Sequence, residues 1–224
     1  MKVLVFAPHN DDEVLGVGGT IAKYTQSGNQ VIVCEVTSGS NENIVKKIKK
    51  EALQAHKLLG ATETVFLDLP VVNLKNLEVD KLNASFLEIV QKVKPDVAFI
   101  PHKGDMHIDH YEVAMAAMVA LRPVNNPQLK AIYAYETLSE TEWSIPNAEN
   151  AFMPNVWNDI TNTFTSKVEA MKCYQTQLQE FPHPRSLQAI DALANLRGST
   201  ICVNKAEAFM CFTKRIVSSL VKQI

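Results

Sequence analysis

The sequence has no stretch near the ~20 consecutive apolar residues that a membrane helix needs, so no membrane span is expected. It also lacks a charge surplus of either sign. A formal net charge of −2 over 224 residues gives no broad field, which argues against nucleic acid or an anionic lipid surface as a partner. Cysteine is sparse, with four residues (Cys34, Cys173, Cys202, Cys211) and no C-x-x-C spacing, so neither a disulfide framework nor a thiolate metal site is expected. Cys34 sits inside an apolar run and reads as a buried, reduced thiol. The opening run, Met1 to Phe6, is too short for a signal peptide and has no small-residue cleavage pattern after it. With these absences a cytoplasmic location is the expectation. What remains is ordinary globular composition, 46% hydrophobic and 21% charged, enough for one domain over residues 1–224 with a continuous core.

The apolar runs are short. Lys2–Ala7, Gln30–Thr37, Thr64–Leu67 and Val97–Ile100 lack clean alternation, as do strands of a parallel sheet covered on both faces. Helical stretches lie between them, near Leu15–Ser27, Asn43–Leu59 and Val79–Val93, with Gly28 and Gly60 just past two helix ends. The alternation predicts an α/β, Rossmann-like, mostly parallel sheet with helices on both faces and right-handed crossovers. A helix over about Asp109–Leu121, a fifth strand at Ala131–Tyr135 and a long loop over Thr137–Asn155 follow. The remainder reads as a C-terminal helical and loop extension, with helices near Thr163–Gln177 and Ser186–Leu196. The last thirty residues are ambiguous between strand and helix. A homo-oligomer is compatible with all of this.

The first strand does not end in the glycine-rich turn that a bound pyrophosphate needs; Gly16, Gly18 and Gly19 come too late. The turn is Pro8-His9-Asn10-Asp11-Asp12-Glu13, three adjacent acids that would repel a phosphate and suit a cation. The loop after the fourth strand, from His102 to His110, holds three of the chain's six histidines (His102, His107, His110). In the common 3-2-1-4 strand order these two loops leave neighbouring strands at the switch point, where a crevice opens. Each motif alone could be a solvated loop or a helix cap, with Asp11, Asp12 or Asp109 as the capping residue. Both at adjacent strand ends point to a metal site. His9 and Asp12 stand three apart and aim the same way, and His110 closes the set from the other loop. Two imidazoles, one carboxylate and an open fourth position form a catalytic Zn2+ arrangement. Fe2+ fits the same donors, which keeps a non-heme iron oxygenase open, although such enzymes commonly occupy all-β barrels.

These residues carry a resemblance. Pro8-His9-Asn10-Asp11-Asp12-Glu13 followed by Gly18-Gly19-Thr20 is similar to the A-H-P-D-D-E opening of the PIG-L/LmbE superfamily of zinc-dependent de-N-acetylases, and His107-Ile108-Asp109-His110 matches their H-x-D-H motif. Weaker matches continue through Lys167, Tyr174, Gln175, Gln177, Pro184-Arg185-Ser186, Arg197-Gly198 and Ala206-Glu207-Ala208-Phe209. The resemblance implies His9, Asp12 and His110 as metal ligands and Asp11 as general base. It implies His107 as the group that stabilises the oxyanion or protonates the departing amine, with Asp109 holding His107 oriented and charged.

The implied reaction is hydrolysis of a small-molecule N-acetylated amino sugar or conjugate, of the N-acetylglucosamine type. A non-sugar amide of a natural-product pathway and a non-catalytic sugar- or metal-binding module are the alternatives. Two departures stand out. Asn10 replaces the family's proline, and Lys46, Lys47, Lys49 and Lys50 stand where many members place a substrate-binding arginine before the counterpart of Glu51. A lysine run on a helix is more often a solvated face, and it cannot reproduce a bidentate contact. His183 and Arg185, in a proline-fixed segment, are further pocket candidates, and Trp143 and Tyr135 are candidates to stack on a sugar ring.

Overall fold

A computed structural model describes residues 1–216. The elements run β1 (Lys2–Ala7), α1 (Asp12–Gln26), β2 (Gln30–Ser38), α2 (Glu42–Leu59), β3 (Glu63–Pro70), a 3-10 turn (Leu74–Asn76), α3 (Val79–Val93), β4 (Val97–Pro101), α4 (Ile108–Ala120), β5 (Ala131–Tyr135), β6 (Val156–Asp159), α5 (Phe164–Cys173), α6 (Leu187–Thr200) and β7 (Ala206–Lys214). One sheet holds all seven strands in the order β3-β2-β1-β4-β5-β7-β6. Strands β1 to β5 are parallel, whereas β7 is antiparallel to both β5 and β6.

Each β1 residue faces the opposite side from its neighbour, as strand pleating requires. Leu4 and Phe6 enter one apolar layer beneath α3 and α4, while Val3 and Val5 enter another beneath α1, α2, α5 and α6. Phe6 stacks on Phe86 at a centroid distance of 4.8 Å, and both rings are fully buried. Replacing Phe86 with Ala would cost about 3–5 kcal/mol by lost contact and cavity formation. Both faces of β1, β2 and β4 are therefore covered, which explains their unbroken apolar runs.

Helix α2 starts where the Asn41 side chain accepts from the Asn43 and Ile44 amides at 3.1 and 3.2 Å, and it stops at Gly60, whose φ of 76° is left-handed. Helix α1 instead carries glycine inside. A Cβ on Gly19 would lie 2.7 Å from Ile160, and one on Gly16 would collide with Tyr135, so these positions let α1 lie close against β5 and the segment after β6. That is their use, rather than phosphate binding.

The C-terminal extension differs from expectation in what it builds. It adds β6 and β7, which widen the sheet, beside α5 and α6. The ambiguous last thirty residues contain β7, and the final eight lie outside the described residues. Helix α5 ends at Cys173, four residues before the expected Gln177, because Tyr174 turns inward to a buried carboxylate. Several residues of the downstream resemblance are structural: Lys167 donates to Glu207 (2.6 Å), which accepts the Gly19 and Thr20 amides of α1, and Arg197 forms a bidentate pair with Glu136 at 2.8 and 2.6 Å. All four cysteines are free, and Cys34 is buried.

Candidate metal centre

Strands β1 and β4 are hydrogen-bonded neighbours, so the loops leaving their C-terminal ends open side by side. The β1 exit is fixed first: the Pro8 carbonyl accepts from both the amide and the hydroxyl of Thr37, at 3.1 and 2.7 Å. The chain then turns sharply through Asp11, whose φ of 128° is rare for a residue with a side chain. Asp12 opens α1 and accepts the His9 amide at 2.8 Å, which folds the His9 ring back over its own carboxylate. On the other side, His107 caps α4, its Nδ1 accepting the Asp109 amide at 3.2 Å, and His110 follows on the first turn. Asp109 is therefore inside the helix rather than at its cap, and Asp11, at the cap position of α1, makes no side-chain capping bond.

The two loops bring His9, Asp12 and His110 together. The His9 Nδ1 and His110 Nε2 atoms each lie 3.2 Å from Asp12 Oδ2, and the donor atoms of all three lie within 4.8 Å of one another. Whether these residues suit a cation is tested by what else satisfies them. His110 Nδ1 is bound to Asp105 Oδ2 at 2.7 Å, while its Nε2 is buried and has no hydrogen-bond partner among the described residues. A buried ring nitrogen left open toward a carboxylate is costly unless something fills the gap. The electrostatics agree. Burial alone would raise Asp12, yet the His110 and His9 rings hold its carboxyl far below the usual range. Burial likewise opposes charge on His9, but its bonds to Asp109 and Asp12 raise its pKa to about 9, and His110 is raised despite burial by Asp12 and Asp105. The cavity favours positive charge, and the donor set fits a divalent cation.

Around this centre Asp11 is buried, and its Oδ2 makes no hydrogen bond among the described residues; Arg185 Nη1 stands 3.5 Å away. Burial, with Asp12 and Glu13, pushes the Asp11 carboxyl well above the ordinary range, and Arg185 opposes that shift. Asp109 lies nearer His9 (Oδ2 to Nε2, 3.3 Å) than His107 (Oδ2 to Nδ1, 3.9 Å), and it accepts the Val72 amide at 2.6 Å. Burial and then the neighbouring His9 lower His107 to about 4. The expected Asp109–His107 pair is thus the looser of the two contacts.

A cleft of about 360 Å³ opens over these groups, with His9, Asp11, Asp12 and His107 on its floor and Glu140, Gln177 and Arg185 on its walls. Arg185 is preorganised: its amide donates to His183 Nδ1 at 3.0 Å and its Nη1 to Gln177 at 3.0 Å. Other candidates lie elsewhere. Tyr135 is fully buried with its hydroxyl donated to the Phe6 carbonyl (2.8 Å), so it cannot stack on a ligand. Trp143 is solvent-exposed and does not line the cleft, and His102 turns away to the Asn150 carbonyl. Lys46 pairs with Glu42 and Lys49 with Asp68, as expected of a solvated helix face. Asp105, held by the Thr141 hydroxyl at 2.7 Å, is a residue that the sequence pattern does not single out. Its only signal there is an acid five residues ahead of a ligand-type histidine.

Comparison with known proteins places the chain. The PIG-L family, described as GlcNAc-PI de-N-acetylase, matches residues 4–121, just over half of the 224. The chain belongs to this family, within the PIG-L/LmbE deacetylase superfamily. It is 29% identical to the uncharacterized deacetylase YaiS of Escherichia coli over 182 residues, which is 78% of this chain and 90% of that one. It is 24% identical to the diacetylchitobiose deacetylase of Thermococcus kodakarensis over 194 residues (80% and 71%). Its fold is also similar to that of GalB, the 4-carboxy-2-hydroxymuconate hydratase of Pseudomonas putida KT2440. There the TM-score is 0.76 at 20% identity, with 98% of this chain and 99% of that one covered. Among the described residues no helix is long and apolar enough to cross a membrane.

Proposed function

We propose that the protein is a metal-dependent hydrolase that removes the N-acetyl group from an uncharged amino sugar or sugar conjugate. The observation that carries the reading is the convergence of His9, Asp12 and His110 beside the unbonded, buried Asp11 oxygen at the floor of an open cleft. His9, Asp12 and His110 would hold the ion, zinc by preference, with ferrous iron fitting the same donors. When bound there it would supply an activated water and polarise the acyl oxygen.

The chain's own groups do the rest. Asp11 takes the proton of the attacking water at Oδ2, the atom that no donor occupies among the described residues. Because His107 Nδ1 accepts the Asp109 amide, a neutral His107 ring carries its proton on Nε2 and can donate a hydrogen bond there to the developing oxyanion, while the proton that Asp11 took passes on to the leaving amine. Asp109 fixes His9 by accepting from Nε2, which leaves Nδ1 for the ion.

The cleft walls favour an uncharged substrate. Among the described residues Arg185 is the one lysine- or arginine-type cation there, it already faces Asp11, and Glu140 adds a further acid. A polycarboxylate of the kind named for GalB would meet these acids unfavourably, whereas sugar hydroxyls would donate to them. The test is amine release by the metal-loaded protein from a panel of N-acetyl amino sugars, their phosphorylated forms and simple N-acyl amines. Release is expected from at least one uncharged sugar, and Asp11→Asn should lower it by about 10²–10⁴-fold with metal retained. No release from any member, water addition to an unsaturated carboxylate instead, or near-full activity of Asp11→Asn would each overturn the proposal.

A further inference from the structure

Behind the cleft lies a second group of polar side chains that the reaction does not use. Glu13, Glu35 and His56 come from α1, β2 and α2, and all three are almost wholly buried. His56 Nε2 lies 3.0 Å from Glu13 Oε1 and 3.2 Å from Glu35 Oε1, and its Nδ1 bonds the Thr64 hydroxyl at 2.8 Å. The Tyr174 hydroxyl donates to Glu13 Oε1 at 2.6 Å. The second oxygen of Glu13, Oε2, accepts the amide of Asp11 at 3.1 Å.

Residue types and spacing resemble a cation site, but the valences do not. Glu13 already receives three donors: the Tyr174 hydroxyl, the His56 ring and the Asp11 amide. Glu35 accepts no hydrogen bond among the described residues, and burial drives its carboxyl toward the neutral form. The group is a sealed proton-sharing network whose outward contact is one peptide. That peptide belongs to Asp11, the residue with φ of 128°. A backbone this far from the common regions persists only where its surroundings over-determine it.

We infer that Glu13 is a positioning residue: clamped by Tyr174 and His56, it holds the Asp11 peptide in its turn and so aims the Asp11 carboxylate into the cleft. The inference rests on the reading of Asp11 as the base. Glu13→Gln separates positioning from packing because it keeps the shape. A carboxamide cannot accept at both ends, so its NH2 must face either the Asp11 amide or the Tyr174 and His56 donors.

Two readouts on metal-loaded protein test this. Hydrogen exchange of the Asp11 amide, followed by NMR, should quicken at least tenfold in Glu13→Gln; this reports the contact whatever the reaction is. With the substrate found in the amine-release panel, kcat should fall by about 10²-fold, the cost of a base displaced by about 1 Å, with KM within about threefold and metal content unchanged. Tyr174→Phe removes one of Glu13's donors without touching α1 and should show the same pattern at about tenfold; it serves if Glu13→Gln does not fold. A kcat within threefold of wild type in the folded, metal-loaded variants overturns the inference, as does an Asp11 amide that exchanges unchanged. Full activity of Asp11→Asn instead removes the base on which the inference depends, and the exchange data still show separately whether the Glu13 contact exists.

Discussion

An outer histidine–carboxylate cluster (His9, Asp12, His110) and an inner one (Glu13, Glu35, His56) lie side by side in the chain, and they differ in what completes them. In the outer one, His9 Nδ1 and His110 Nε2 each lie 3.2 Å from Asp12; in the inner one, His56 Nε2 lies 3.0 and 3.2 Å from Glu13 and Glu35. Distances and residue types do not separate them. The outer cluster opens to a cleft and leaves His110 Nε2 without a hydrogen bond among the described residues, whereas the inner one is sealed and its Glu13 is saturated with donors. The inner cluster also leaves the Glu35 oxygens unbonded, but burial drives that carboxyl toward its neutral form, so what marks the ion site is open valence together with access from a cleft.

The largest effect should come from opening the outer cluster. His110→Ala removes the proposed ligand nitrogen, which no other group satisfies among the described residues, so the purified protein is expected to hold no metal by elemental analysis and to turn over at background. Metal retained at wild-type stoichiometry would break the contrast. His56→Ala, which deletes an equivalent imidazole from the inner cluster, should leave metal content unchanged. A step smaller is Asp105→Asn, which keeps His110 in place but weakens its Nδ1 contact, now 2.7 Å from a carboxylate. Such outer contacts to a ligating histidine are worth about 10–100-fold in metal affinity, measurable by competition with a chelator. An unchanged affinity would mean that Asp105 only packs the loop.

The same contrast explains what was legible in the sequence. The convergence of His9, Asp12 and His110 could be read because each lies in or just after the turn that leaves a strand, and adjacency of β1 and β4 follows from ordinary α/β topology. His56 could not: its partners lie 43 residues back on α1 and 21 back on β2, and on its own it looks like any residue of an amphipathic helix. Asp105 was invisible for a related reason, since its role depends on the rotation of His110. In the fold, β1 to β5 announce themselves as apolar runs. The strand β6 has only four residues, and β7 mixes Ala, Glu, Met and Cys, so their membership in the sheet comes from antiparallel pairing with distant chain rather than from local preference. Sequence pattern carries helix α5 past its true end because nothing local marks Tyr174 as a residue that leaves the helix for a buried carboxylate.

The smallest predicted effect sharpens the comparison through pH. Burial opposes a charge on His56, but its bond to Glu13 and its close contact with the Glu35 carboxyl prevail and raise it from 6.5 to about 10. A histidine raised in the folded state contributes stability that is fully present below its unfolded pKa and lost as pH climbs through the folded value. The contribution should therefore be intact at pH 6, decline between about 6.5 and 10, and be absent above. His56→Gln keeps a donor of similar reach but cannot carry the charge. Denaturant unfolding of metal-loaded wild type and His56→Gln should differ by on the order of 3 kcal/mol at pH 6, the scale of a broken buried pair. The gap should narrow toward pH 10, and His9 and His110 cancel because both proteins carry them. A gap that stays constant with pH would mean that His56 acts by shape alone, and the inner cluster would then be packing rather than a charged clamp.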